Sequence, residues 1–278
     1  MTPTPRERVI GALAFLLTSG LALLVVFPFY WMAMSALEAK SIFVWPPRLV
    51  PSEMTFAAFE KIFAERPVGT WLRNTAIVAC ATSFFCTTIA INAGYALSRF
   101  RGRLTDAFGI FILFSQMLPA TLIVVPLYVV YRQLGLYNSL IGLAIADTVF
   151  VLPLATWLMK GFFDRIPREL EEQALVDGAT RLGAFYRITL PLALPGLVVV
   201  TVFAFMAGWD EFFLARTLIS SQGNWVLSVG LTSFQTQYAI AWNEMMAASV
   251  VFALPASIFF LFVQRYLVAG LTGGAIKG

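Results

Sequence analysis

Chemistry needs side chains that move protons, attack or hold ions, and this 278-residue chain has 15 Asp and Glu, 2 Cys and no histidine. Without histidine the commonest general base and metal ligand is missing, and no Ser-His or Cys-His pair can be assembled. No G-x-x-x-x-G-K-[ST] phosphate loop occurs either, so the polypeptide has no motif for hydrolysing ATP by itself. Asp147 and Asp210 are the residue types of an intramembrane aspartyl protease, but neither sits in a Gly-x-Gly-Asp context. Acids at membrane depth more often line a transport path. Cys80 and Cys86 lie six apart on one expected helix, badly placed for a disulfide and too few for a metal site, and are expected as buried apolar side chains. No catalytic residue and no metal site follow. The densest run of acids is instead a polar stretch, IPRELEEQALVDGATRLGAFYRITLP, at 166–191.

That stretch stands out because the rest is apolar: 59% of residues are hydrophobic and only 12% charged, which makes the chain a membrane protein. A crossing helix needs about 20 apolar residues. Runs of that length predict six spans, at about 9–36, 74–98, 107–131, 140–163, 191–215 and 243–266, in one all-α membrane domain covering 1–278. The first run follows Arg6 and Arg8 but is longer than a signal-peptide core and lacks a small-x-small cleavage site, so it is retained as a span. A cytoplasmic amino terminus puts twelve of the 19 Lys and Arg residues inside; both termini are therefore expected in the cytoplasm. The net charge of +4 reads as this topology signal and gives no ground for a nucleic-acid partner. Trp45-Pro46-Pro47 and Trp242 suit the interfacial belt.

With this topology the polar stretch falls in a cytoplasmic loop, 164–190. Pro167 suits a first helical turn, and Glu169, Glu171 and Glu172 favour the positive end of a helix dipole. Leu170 and Ala174 share one face, with Leu175 nearby. Gly178 permits a turn, after which Leu182, Phe185, Tyr186 and Ile188 make a second short apolar face. Period and charge leave two readings open: a helix pair on the inner lipid surface, with Arg181 and Arg187 toward anionic headgroups, or a knob that docks into a cleft of a partner protein.

One arrangement is more specific. Glu172-Gln173-Ala174, three residues, Gly178, nine residues, then Ile188-x-Leu190-Pro191 resembles the "EAA" loop, E-A-A-x(3)-G-x(9)-I-x-L-P, of permease subunits in bacterial ABC importers. The context ELEEQALVDGATRLGAF is similar to the carbohydrate-importing branch, of the maltose-permease type, as are GYALSRFRGR, QMLPATLIVVPLYVVYRQLGLYNSLIGL, GWDEFFLA and the ending QRYLVAGLTGGAIKG. The resemblance covers nearly the whole chain. It implies a six-span permease of the type I importer kind in a bacterial inner membrane, which pairs with a second, different permease. It also implies two cytoplasmic ATPase subunits that bind ATP and Mg, and an extracytoplasmic solute-binding protein that delivers a sugar; this chain itself would carry no cofactor. Glu172 then takes the acidic motif position, Ala174 the second alanine and Gly178 the turn, with Ile188, Leu190 and Pro191 at the loop's exit. Glu171, Asp177, Leu182 and Phe185 join them as ATPase-docking candidates. Gln173 replaces the first alanine and puts a larger polar group where close packing is expected.

For the substrate path, polar groups within spans are the candidates because hydrocarbon excludes them unless they face protein or a wet cavity. Asp147 is seven residues into span four, roughly 10 Å from its outer end at about 1.5 Å per residue. It could accept hydrogen bonds from sugar hydroxyls or serve an inter-helix contact. Gln116 lies near mid-membrane, where solute contact and interhelical bonding are both open, and Asn92 suits a structural bond. Trp209, Asp210 and Glu211 resemble the family's W-N-E-F segment with Asp in place of Asn. The rival class is a self-sufficient secondary carrier driven by an ion gradient, which would be expected to show inverted repeats and intramembrane ion ligands.

Overall fold

In a computed structural model, residues 5–39, 49–235 and 240–272 are described; Trp45-Pro46-Pro47 and the end of the chain lie outside them. The helices are α1 (Pro5–Leu37), α2 (Ala57–Glu65), α3 (Val68–Arg99), α4 (Arg103–Ser115), α5 (Ala120–Gln133) and α6 (Leu140–Phe163). They continue as α7 (Glu169–Val176), α8 (Arg181–Ala184), a π-helical turn (Phe185–Thr189), α9 (Leu190–Leu192) and α10 (Leu194–Asp210). α11 (Phe213–Leu218), α12 (Leu227–Leu231) and α13 (Trp242–Thr272) complete the chain. The only extended pairing among the described residues is two isolated bridges, Glu38 with Met54 and Gln235 with Ile240.

By length and composition four helices, α1, α3, α6 and α13, can each cross a membrane, and two bent pairs bring the number to six. The bent pairs depart from the sequence expectation. Span three, expected to run unbroken over 107–131, turns by 100° between α4 and α5. Gln116 and Met117 close tight turns onto Leu113 O and Phe114 O, and Pro119 then sits extended at φ −66°, ψ 131°. Proline has no N–H to continue the helix, and its ring disfavours helical backbone at Leu118 before it. Span five, expected over 191–215, bends by 75° between Arg181–Leu192 and Leu194–Asp210 and ends at Asp210, with α11 separate. Pro195 stands in the first turn of α10, where a missing N–H costs nothing.

The chain's contacts divide it into two compact units. The first is Met1–Val68 with Leu231–Leu254. In it Glu38 is buried, its carboxylate accepting from Ser52 N and Ser52 Oγ at 2.9 and 2.8 Å, and its carbonyl from Asn243 Nδ2 at 2.6 Å. Lys61 of α2 pairs with Glu244 of α13 at 2.6 Å, and Ile62 is fully buried beside it on α2.

The second unit is Gly69–Gly230 with Pro255–Gly278. Its core has two clusters, one around Val78, Leu143, Leu218 and Val229, the other around Cys86, Met159, Phe163, Phe185 and Val200. Close helix approach comes from small residues, because lipid tails offer no hydrophobic drive between spans and van der Waals packing must supply it. Gly196 of α10 lies against the Phe162 ring, and a Cβ on Gly94 of α3 would stand 2.7 Å from Met159 Cβ. Cys86 is buried as expected, whereas Cys80, on another face of α3, is exposed.

Candidate functional site

The polar loop is built on two local devices. α7 starts behind Pro167 with Glu169, Glu171 and Glu172 in its first turn, and it stops at Gly178, whose φ of +88° is left-handed backbone that a Cβ resists. Across that glycine Ala179 N donates to Ala174 O at 2.9 Å and Gly178 N to Leu175 O at 3.1 Å, the paired bonds of a Schellman turn. Thr180 then opens α8, its Oγ1 accepting from Gly183 N at 3.0 Å.

Two adjacent glutamates on α7 meet different surroundings. Glu171 turns inward: Oε1 accepts from Arg99 Nε at 2.7 Å and Thr189 Oγ1 at 2.8 Å, and Oε2 from Tyr95 OH at 2.9 Å. Burial pushes its carboxyl up, but the bonds from Arg99, Thr189 and Tyr95 outweigh it and hold the group below the ordinary carboxylate value. Ala174 and Phe185 are buried too, the Phe185 ring centroid 4.4 Å from that of Tyr95. Glu172, Gln173, Asp177, Gly178 and Leu182 are exposed, while Ile188 and Leu190 are half-buried and Pro191 is exposed. Sequence reasoning missed Val176, 87% exposed at the end of α7, and missed Tyr95 and Arg99, both within the stretch GYALSRFRGR, as the loop's anchors. The exposed face is therefore acidic and apolar at once, the surface chemistry of a docking knob.

The substrate-path candidates separate. Gln116 Nε2 donates to Phe150 O at 2.8 Å, joining the break in span three to α6 at a cavity of about 430 Å³ shared with Leu118, Ile123 and Pro153. Asp147 is 3% exposed; one oxygen is 3.5 Å from Thr82 Oγ1, the limit of a hydrogen bond, and the other has no partner among the described residues. Trp209 is buried and stacked on Phe205, with centroids 5.6 Å apart, and Asp210 is exposed. The Glu211 carboxylate caps α11 by accepting from Leu214 N, and its carbonyl accepts from Ser228 Oγ at 2.6 Å. Asn92 bonds within its own helix, Nδ2 to Thr88 O at 2.8 Å, and is exposed, so it joins no second span here.

With this geometry in place, comparison with known proteins gives a consistent answer. Residues 86–273 match the family described as binding-protein-dependent transport system inner membrane component. The chain is similar to the inner membrane ABC transporter permease protein YcjP of Escherichia coli K12, 37% identical over 93% of this chain and 95% of that one. It is 36% identical to the diacetylchitobiose uptake system permease protein DasC of Streptomyces coelicolor, over 91% and 92% of the two chains. It is 32% identical to the trehalose/maltose transport system permease protein MalG of Thermococcus litoralis, over 98% and 99%. In fold it superposes on a chain of a bacterial ABC transporter involved in the import of the acidic polysaccharide alginate, with a TM-score of 0.79 over 96% of this chain and 99% of that chain, at 23% identity.

Proposed function

The chain belongs to the inner membrane components of binding-protein-dependent transport systems, and from that premise we propose that it is the permease subunit of an ATP-driven importer for a sugar or sugar-like solute. The family supplies multi-pass transport subunits, not enzymes. In this reading both termini are cytoplasmic, a second, different permease completes the translocation path, and an extracytoplasmic binding protein delivers the solute. Two ATPase subunits bind the ATP and Mg.

The observation that carries the reading is the loop at 164–190. It is fixed inward by Glu171 and Phe185 and offers Glu172, Gln173, Val176, Asp177 and Leu182 outward. An anchored projection that leaves Glu169, Glu172 and Asp177 exposed along α7 and its end suits a cleft in a partner better than a lipid surface, where these acids would meet anionic headgroups; the exposed Arg181 and Arg187 lie beyond Gly178. ATP-driven closure of the partners then moves the loop and, with it, the spans. Gln116 and Asp147 are the residues we assign to the solute path; Trp209, Asp210 and Glu211 frame it. The sugar class rests on relatives named for diacetylchitobiose and for trehalose and maltose.

The test is co-purification with the ATPase subunits, followed by Gly178→Arg and Glu172→Lys. Both variants are expected to insert in the membrane and to lose ATPase association; unchanged association in both would return the loop to a lipid-surface role. Stimulation of ATP hydrolysis by the whole complex is then screened with diacetylchitobiose, trehalose, maltose and maltotriose. Uptake by this chain alone down a proton or sodium gradient would replace the importer with a secondary carrier.

A further inference from the structure

Arg99 and Glu171 lie 2.7 Å apart with side chains only 9% and 13% exposed, and each is bonded well beyond its partner. Arg99 Nη1 donates to Phe163 O at 3.0 Å and to Ser98 Oγ at 3.1 Å, and Nη2 donates to Ile166 O at 3.1 Å. Glu171 adds Tyr95 OH and Thr189 Oγ1. One ion pair thus touches the inner end of α3, the last turn of α6 and its exit, the first turn of α7, and the π-turn that leads into α10.

We infer that the Arg99–Glu171 pair is the positioning element through which movement of the α7 loop reaches α3, α6 and α10. The inference rests on the docking role proposed for that loop. Three observations support it. α7 is eight residues long and Ala174 is its one buried apolar side chain, with Leu170 and Leu175 left 37% and 40% exposed, so apolar contact gives it only a weak hold on the bundle; a methyl group contributes only about 0.8 kcal/mol. Charge-assisted hydrogen bonds are roughly twice as strong as neutral ones, and here three converge on one carboxylate from two other elements.

The third observation concerns the π-turn. Leu190 N reaches back to Phe185 O, five residues away, and the widened turn carries both Phe185 and Thr189 inward, Thr189 with no exposed surface. Thr189 Oγ1 is thereby delivered to Glu171. Just beyond it the chain bends by 75° at Ala193, with Pro191 and Pro195 on either side. Rigid attachment at Thr189 followed by a bend is the arrangement that converts a loop displacement into a tilt of α10.

The test uses the intact complex in vesicles and needs no solute. Hydrogen exchange is compared with and without Mg-ATP, using ATPase subunits that bind but do not hydrolyse it. In the parent protein nucleotide should alter exchange at 169–180, at 95–99 and at 185–194. With Glu171→Gln the response at 169–180 should persist, because the docking face is intact, while the responses at 95–99 and 185–194 are lost. Thr189→Val leaves the ion pair in place and should remove the response at 185–194 alone. A merely structural pair would lower stability without separating these regions. Full responses at 185–194 in both variants, with ATPase bound, would overturn the inference. Absence of ATPase binding and of any nucleotide response in the parent would instead remove the docking premise, and the inference with it.

Discussion

Asn138 and Ser221 are joined twice: Asn138 Oδ1 accepts from Ser221 N and from Ser221 Oγ, each at 3.0 Å. Ser220 N adds a third bond at 3.1 Å, and Asn138 itself sits in left-handed backbone at φ 57°. Its main chain is engaged as well, N to Leu218 O at 2.8 Å and O from Asn224 Nδ2 at 2.7 Å. One residue in the α5–α6 turn therefore pins the segment that follows α11.

Asn138→Ala loses the side-chain acceptor and also bears the left-handed strain, for a cost of about 1–3 kcal/mol. Asn138→Gly loses the same bonds without the strain. Thermal unfolding in detergent should place the alanine variant lowest, the glycine variant between, and the parent highest. Equal melting of the two variants would show that the backbone here is free to relax.

Both the turn at Tyr137-Asn138-Ser139 and the polar run at 220–224 are visible in the sequence, yet nothing local says that they meet. Legibility has the same limit elsewhere. The spans are legible because length and charge set them one at a time, and Gly178 is legible because a helix stop is a local event. The bend in span three is not, since Pro119 announces an interruption but not its angle. Glu171 and Glu172 look alike in sequence. Their different directions follow from about 100° of helical rotation between neighbours and from Arg99, 72 residues away. Cys80 and Cys86 differ for the same reason, six residues round one helix not being one face.

Gln173, the departure from the alanine of the resembled motif, is exposed on α7 and not in the packed contact between loop and bundle. Gln173→Ala should therefore change thermal stability by no more than about 0.5 kcal/mol, as exposed substitutions away from special features do. Its effect belongs to the docking face. Titration of the purified ATPase subunits against vesicles should show altered affinity at unaltered melting; lowered melting with unaltered affinity would contradict this placement.

The Glu171 carboxyl is held below its ordinary value of 4.5 by Arg99, Thr189 and Tyr95 acting against burial. A depressed carboxyl contributes stability that is fully present above the unfolded value and is lost as pH falls through the folded one. Hydrogen-exchange protection factors at 169–180, with the intrinsic pH dependence of amide exchange divided out, should thus be flat from neutral pH down to about 4.5 and fall below it. Glu171→Gln should abolish that acid transition and show lowered protection at every pH. A parent transition near neutrality would assign the event to another group.

Asp147 sets stability against function. Among the described residues its buried Oδ1 has no hydrogen-bond partner, and its other oxygen reaches only Thr82 Oγ1 at 3.5 Å. A buried polar atom left in this way costs about 1–3 kcal/mol, so packing alone gives no reason to keep it. Asp147→Leu removes the unsatisfied group on a side chain of the same branching but larger volume, and should melt at or above the parent temperature, the relieved polar penalty exceeding the cost of the added volume. If the carboxyl meets the solute during transport, uptake by the whole complex falls at the same time, by about tenfold or more for the loss of one buried bond to a polar ligand. Asp147→Asn, which retains an acceptor for Thr82 and for a hydroxyl, should fall between the two. Opposite movement of melting and uptake in the leucine variant is the signature of a residue retained for transport. Undiminished uptake would remove Asp147 from the path and leave Gln116 as the residue to vary next.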